Sequence, residues 1–103
     1  MHVELRYFDG CPNWRVAQAR LQLVLDELGV ETPIELERVE TPERADEVSF
    51  RGSPTVLIDG EDPFLDETAP VGLSCRIYRT AEGGEGAPGL DQLRKALVAR
   101  DTR

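Results

Sequence analysis

The chain has 103 residues, of which 40 % are hydrophobic and 31 % are charged. This composition is that of a globular protein rather than a disordered one, and the length predicts a single domain over residues 1–103. The formal net charge of −8 argues against nucleic acids and acidic membrane surfaces as partners, because both are anionic.

The first half of the chain has the pattern of a βαβ unit. Apolar and charged residues alternate over residues 3–7 and again over residues 34–39, which predicts two strands. Between them, an apolar stripe of helical period predicts a helix over residues 12–28, with Pro12 at its first position. Two strands joined in this way are parallel, and the crossover between them is right-handed.

The second half predicts short elements separated by turn-rich connections. They are a helix over residues 41–48, a strand over 55–58, an acidic loop over 61–73, a strand over 74–80, a flexible connection over 83–86 and a helix from Leu90, with fraying over 101–103. The last two strands are expected to be antiparallel neighbours. The predicted order is therefore β-α-β-α-β-β-α.

Cys11 lies where the first predicted strand passes into the first predicted helix. Helix N-termini carry unpaired N–H groups and partial positive charge, so a cysteine there is stabilised as a thiolate. We expect an accessible nucleophilic or metal-binding thiol; the alternative is a small buried residue at a turn. No secretory signal or membrane-spanning run is visible, which predicts a cytoplasmic protein in which a cysteine is more often functional than structural.

Two motifs resemble those of the thioredoxin-like superfamily. Cys11-Pro12 stands at the start of the first helix, and Gly-Ser-Pro-Thr, residues 52–55, stands just before the third strand. The resemblance implies a minimal thioredoxin fold of the α/β class, with a four-stranded mixed sheet and helices on both faces. It also implies that the Ser53-Pro54 peptide is cis and faces Cys11, and that the Ser53 backbone can pair with a bound peptide or glutathione.

The motif around Cys11 also departs from thioredoxins, which have a second cysteine where Trp14 stands here. The chain therefore resembles a single-cysteine variant, with the sequence CPNW. The stretches GCPNW, GSPT and SCRIY resemble short bacterial thioredoxin-like proteins, some of which are labelled alkylmercury lyase. That label implies only that a soft metal could be a ligand. Trp14 is expected to pack in the core or, alternatively, to cover the thiol as part of a substrate-binding surface.

Cys75 and Asp9 are candidate supporting residues. An antiparallel fourth strand would begin at the far end of the third, which places Cys75 on the order of 15 Å from the site. A disulfide needs Cα atoms within about 7 Å, so the sequence predicts no direct Cys11–Cys75 bridge, unless the 61–73 loop shifts the register. Cysteine is a burial-prone residue type and lies on a predicted strand here, which favours a core position for Cys75. Asp9 is either a turn residue or a proton acceptor beside the thiol.

These residues predict a monothiol oxidoreductase or redox sensor that acts through Cys11 without a cofactor. Its partner would be a small thiol or a protein disulfide, with the resolving thiol supplied by glutathione or by Cys75. The alternatives are a thiolate site for a soft metal or an organomercurial, and an interaction module without turnover. No other metal site is predicted, because His2 is the one histidine and the acidic loop lacks the EF-hand spacing.

Overall fold

The computed structural model describes residues 1–101, with side chains through Arg100. In chain order the elements are β1 (Val3–Tyr7), α1 (Trp14–Leu28), β2 (Ile34–Arg38), α2 (Pro42–Val48), β3 (Thr55–Ile58), β4 (Tyr78–Thr80), β5 (Gly83–Glu85) and α3 (Leu90–Asp101). The expectation of fraying falls partly on residues 102 and 103, which lie outside the described residues. None of these helices is both long and apolar enough to cross a membrane.

The predicted parallel pairing of the first two strands, joined through α1, is confirmed. β1 pairs with β2 in parallel and with β3 in antiparallel orientation, so the strand order is β2-β1-β3. α1 begins at Trp14 rather than at Pro12, and it ends at Gly29, whose left-handed φ of 67° closes the helix. Thr41 caps α2, because its side-chain oxygen accepts the Arg44 N–H.

The predicted four-stranded mixed sheet with helices on both faces is wrong. β4 does not join β3; it pairs with β5 in a separate two-stranded antiparallel sheet. Residues 83–85, expected to be part of a flexible connection, therefore form a strand, and the left-handed φ of 108° at Gly83 permits the tight reversal before it. The strand predicted over 74–80 is confirmed only at 78–80, because the chain before it turns back toward the start of β3.

The main core lies between the three-stranded sheet, α1 and α3. Its fully buried side chains include Val3 and Leu5 of β1, Leu21 of α1, and Leu93 and Leu97 of α3. Each such side chain contributes roughly 1.5–3 kcal/mol through burial. A smaller cluster of Val39, Ala45 and Phe50 holds α2. This packing fixes the β1–α1 junction and the start of β3, the two places where the cysteine site is built.

Candidate functional site

Cys11 and Cys75 form a disulfide, so the prediction against a direct bridge is wrong. Their Cα atoms are 5.8 Å apart although 64 residues separate them in sequence. The chain after β3 does not return as an antiparallel strand. It crosses back to the N-terminal end of β3, where Ser53 and Cys75 form an isolated parallel bridge. The long connection over residues 61–77 thereby brings Cys75 to the thiol at residue 11.

The two cysteines differ in exposure, and in the opposite sense to that predicted. Cys11 is 0 % exposed, whereas Cys75 is exposed rather than part of the core. Cys11 also precedes the N-cap residue of α1, Asn13, and its N–H donates to the Phe8 carbonyl at 3.2 Å. A reagent in solvent therefore meets this disulfide from the Cys75 side.

The Ser53-Pro54 peptide is cis, as the resemblance implied. The Ser53 N–H donates to the Ser74 carbonyl at 2.7 Å, and the Ser53 carbonyl accepts the Arg76 N–H at 2.8 Å. Cys11 Sγ lies 3.7 Å from the same Ser53 carbonyl. The backbone groups expected to recognise a bound peptide are thus already paired with residues 74–76 of the same chain.

The side chain of Ser53 is the most unusual polar group of the site. It is 0 % exposed, and its hydroxyl oxygen has no hydrogen-bond partner among the described residues. Buried hydroxyl groups are ordinarily paired, because leaving one unpaired costs free energy. This unpaired hydroxyl belongs to the residue whose backbone bridges to Cys75.

Residues 74–76 pack closely on the turn before β3. A Cβ atom added at Gly52 would lie 3.1 Å from Arg76 Cβ and 3.3 Å from the Ser74 carbonyl oxygen. The Tyr78 hydroxyl donates to the Pro54 carbonyl. Burial raises the pKa of Tyr78, so this hydroxyl keeps its proton and remains a donor. Contacts on both sides of Cys75 therefore hold it beside Cys11.

Arg76 anchors the same segment through a nearly buried ion pair with Asp62. Arg76 Nη1 lies 2.7 Å from Asp62 Oδ2, and the two side chains are only 9 % and 11 % exposed. The guanidinium also donates to the Phe64 carbonyl and lies 4.6 Å from the centroid of the Tyr78 ring. Arg76 was not among the residues predicted for the site; its one signal in the sequence is its place beside Cys75 in the SCRIY stretch.

The remaining predicted site residues have other neighbours. Trp14 is partly buried, and its ring stacks on Tyr7 with centroids 4.2 Å apart. Asp9 is exposed and forms an ion pair with Arg38 at 2.8 Å. Pro12 is exposed in the turn before α1. The structure thus brings Ser53, Pro54 and Cys75 to Cys11, whereas Trp14 packs against the main core, as expected, and Asp9 pairs with Arg38.

One group of potential metal-ligating atoms occurs among the described residues, away from the cysteines. His2 Nε2 lies 2.9 Å from a Glu4 oxygen and 2.7 Å from a Glu35 oxygen. The three atoms lie within 4.8 Å of one another. His2 and Glu35 are exposed, and these contacts form a surface cluster in which the imidazole nitrogen already has carboxylate partners.

A scan against protein-family models, a search of curated proteins and a search of solved structures each found no match to this chain. The thioredoxin-like resemblance therefore stays a prediction from the residues.

Proposed function

We propose that this chain is a thioredoxin-like thiol–disulfide exchange protein that cycles between the Cys11–Cys75 disulfide and the dithiol. The observation that carries the proposal is the pairing of a fully buried cysteine with an exposed one beside the cis Ser53-Pro54 peptide. Disulfides that are open to solvent exchange more readily with external thiols than sealed ones. In the cytoplasm, where we place the protein, a disulfide is more often redox-active than structural.

The reaction runs in two exchanges. A thiolate of the partner attacks Cys75 Sγ, a bond forms between those two sulfurs, and the Cys11–Cys75 bond breaks with its electron pair going to Cys11. A second thiolate then attacks the partner's sulfur in the mixed disulfide and releases Cys75. Two partner thiols are oxidised to a disulfide, and the protein is reduced to a dithiol. The same steps in reverse reduce a partner's disulfide, with Cys11 as the resolving thiol.

The test is a redox titration of the full chain. The protein is equilibrated in glutathione buffers of defined ratio, quenched with acid, alkylated and quantified by mass. We expect a two-electron transition between about −270 and −120 mV, the range of catalytic dithiols. A potential below about −300 mV, typical of structural disulfides, would overturn the proposal. Cys75→Ser serves as the control, since it leaves no intramolecular disulfide to titrate.

The same geometry supports a second candidate, a soft-metal site in the reduced protein. Cα atoms 5.8 Å apart allow both thiolates to bind one soft metal ion, and thiolates are the ligands that such ions prefer. Titration of the dithiol form with Cu(I) against a competing chelator tests this function. One ion bound per wild-type chain and none in Cys75→Ser would favour it, especially if the redox titration placed the disulfide in the structural range.

A further inference from the structure

A cavity of about 400 Å³ opens beside the exposed half of the disulfide, and Cys75 forms part of its wall. Arg51, Arg76 and Arg79 also line it, against a single lining carboxylate, that of Asp66. The whole chain has a net charge of −8. The charge around this cavity is therefore opposite in sign to that of the molecule.

The arginines differ in how far their guanidinium groups are already used. Arg76 is occupied by Asp62 and by the Phe64 carbonyl. Arg51 donates through Nη1 to the carbonyls of residues 67 and 69, which leaves its other N–H groups available. Arg79 is exposed, and its side chain forms no ion pair with any residue in the described part of the chain.

The lining carboxylate does not cancel this excess. Asp66 accepts hydrogen bonds from the backbone N–H and the hydroxyl of Thr68, and these bonds hold its pKa below the ordinary value. It therefore stays charged at neutral pH and offsets one guanidinium. With Arg76 paired to Asp62, two arginines face one carboxylate, and Arg79 is the cation best placed to meet a ligand.

We infer that this cavity binds a low-molecular-weight thiol carrying carboxylate groups, with Cys75 as the sulfur that it attacks. The inference rests on the proposed exchange function and names its substrate class. Guanidinium groups bind carboxylates through paired hydrogen bonds, and the volume falls within the range of about 300–1,000 Å³ usual for small-molecule sites. Phe64 and Ile77 add apolar wall for the body of the ligand.

The point of attack follows from exposure. Cys11 is 0 % exposed, so the incoming thiolate bonds to Cys75 Sγ, and Cys11 leaves as the thiolate. The bound thiol is then held in the cavity as a mixed disulfide on Cys75. A second molecule of the same thiol completes the reduction and leaves with the first as their disulfide.

The experiment compares the rates at which three small thiols reduce the oxidised chain. The probes are mercaptoacetate, 2-mercaptoethanol and cysteamine, which are anionic, neutral and cationic, and rates are normalised for thiolate fraction and nucleophilicity. An acidic protein without a cationic site would react most slowly with mercaptoacetate. We expect mercaptoacetate to react fastest, and we expect Arg79→Gln to lower its rate about fivefold relative to the rate of 2-mercaptoethanol with the same variant, the effect of one exposed ion pair.

Lys95→Gln is the matched control, since Lys95 is an exposed cation on α3 that does not line the cavity. The proposed cavity site is overturned if cysteamine reacts fastest, or if Lys95→Gln and Arg79→Gln lower the rate of the mercaptoacetate reaction equally. In either case the proposed exchange function still stands. If none of the three thiols reduces the disulfide, the exchange function fails as well. Peptide mapping after alkylation is expected to find the mercaptoacetate adduct on Cys75 and the alkyl group on Cys11; the reverse would overturn the point of attack.

Discussion

Arg76 shows how a single residue positions the disulfide. It follows Cys75 directly, its N–H pairs with the Ser53 carbonyl, and its guanidinium is tied to Asp62. Backbone and side chain thus fix the same segment from two directions. Because both side chains of the ion pair are nearly buried, water could not solvate either charge if its partner were removed.

We predict that Arg76→Met destabilises the oxidised protein by about 3 kcal/mol, because the nearly buried Asp62 carboxylate loses its cationic partner and is left with the Phe64 N–H as its hydrogen-bond donor. The measurement is the urea midpoint under oxidising conditions. Arg94→Met is the control, since Arg94 pairs with Glu27 at the surface, where both side chains are more than a third exposed. Such a pair contributes only about 0–1 kcal/mol. Equal losses in the two variants would contradict the anchoring role of Arg76.

At the residue scale, the sequence predicted what depends on local chemistry. The turn position of Cys11 follows from the residues around it, whereas the cis peptide at Pro54 was implied only by the thioredoxin-like resemblance; both are in place. The exposure of the two sulfurs could not be predicted, because it depends on which distant segment covers which. Cys75 was assigned to the core for its residue type, yet it is exposed.

At the scale of elements, the turn before β3 and residues 74–76 act as one unit. Gly52 makes their close approach feasible, with a φ of 113° and no side chain to hold the segments apart. A Cβ atom at this position would need the 74–76 segment to move by several tenths of an ångström. The parallel bridge between Ser53 and Cys75 therefore depends on Gly52, although Gly52 is not one of the two bridged residues.

We predict that Gly52→Ala destabilises the protein by more than Gly83→Ala. Both glycines have a similar positive φ, 113° and 108°, so alanine at either one carries backbone strain of about 1–3 kcal/mol. Only Gly52 also has atoms of another segment within 3.4 Å, whereas nothing lies within 4 Å of the Gly83 position. Urea midpoints measure the difference, and losses of the same size would show that the close approach contributes nothing.

Glu37 joins three elements and gives the fold a predicted pH dependence. It lies on β2 and binds Arg44 of α2 and Arg6 of β1. The hydrogen bond from Arg44, followed by that from Arg6, lowers the pKa of Glu37 below its ordinary value of 4.5. A lowered folded-state pKa means that this stabilisation is fully present above 4.5 and is lost as the pH falls through the folded value.

We therefore expect Glu37→Gln to lose stability at neutral pH and to show a shallower decline than the wild type below about pH 4.5. Urea midpoints measured from neutral pH to about pH 3 give both quantities. Glu31→Gln, at an exposed position before β2, is the control and should follow the wild-type profile. Parallel profiles for Glu37→Gln and the wild type would refute the contribution of Glu37.

The elements also show where sequence patterns stop being informative. α1, α3 and the first two strands were predicted from hydrophobic periodicity, and β3 from a short apolar run bounded by turn residues. α2 was predicted although it is mostly polar, because helix-starting residues stand at its N-terminus. β4 and β5 have three residues each, too few for alternation to indicate a partner. The choice between pairing β4 with β3 and pairing it with β5 is made by the path of residues 61–77, which no local pattern encodes.

For the molecule as a whole, the disulfide closes a loop of 64 residues, well over half of the chain. Closing a loop of that length restricts the unfolded chain by about 4 kcal/mol in the chain-entropy account. We predict that Cys11→Ala/Cys75→Ala is destabilised by about this amount and that reductant lowers the wild-type urea midpoint toward it. If reductant lowered the urea midpoint of the double variant as much as that of the wild type, the stabilisation could not be assigned to the disulfide.

β2 forms one border of the three-stranded sheet and carries Glu35, Glu37 and Arg38, although Leu36 beside them is 44 % exposed. Fixed charges along an outer strand discourage a second molecule from adding its own strand there. At the opposite border, Cys75 and Glu61 form bridges at the two ends of the β3 region. Neither border therefore offers a long uncharged row of backbone groups, and the sheet is a poor seed for fibril growth.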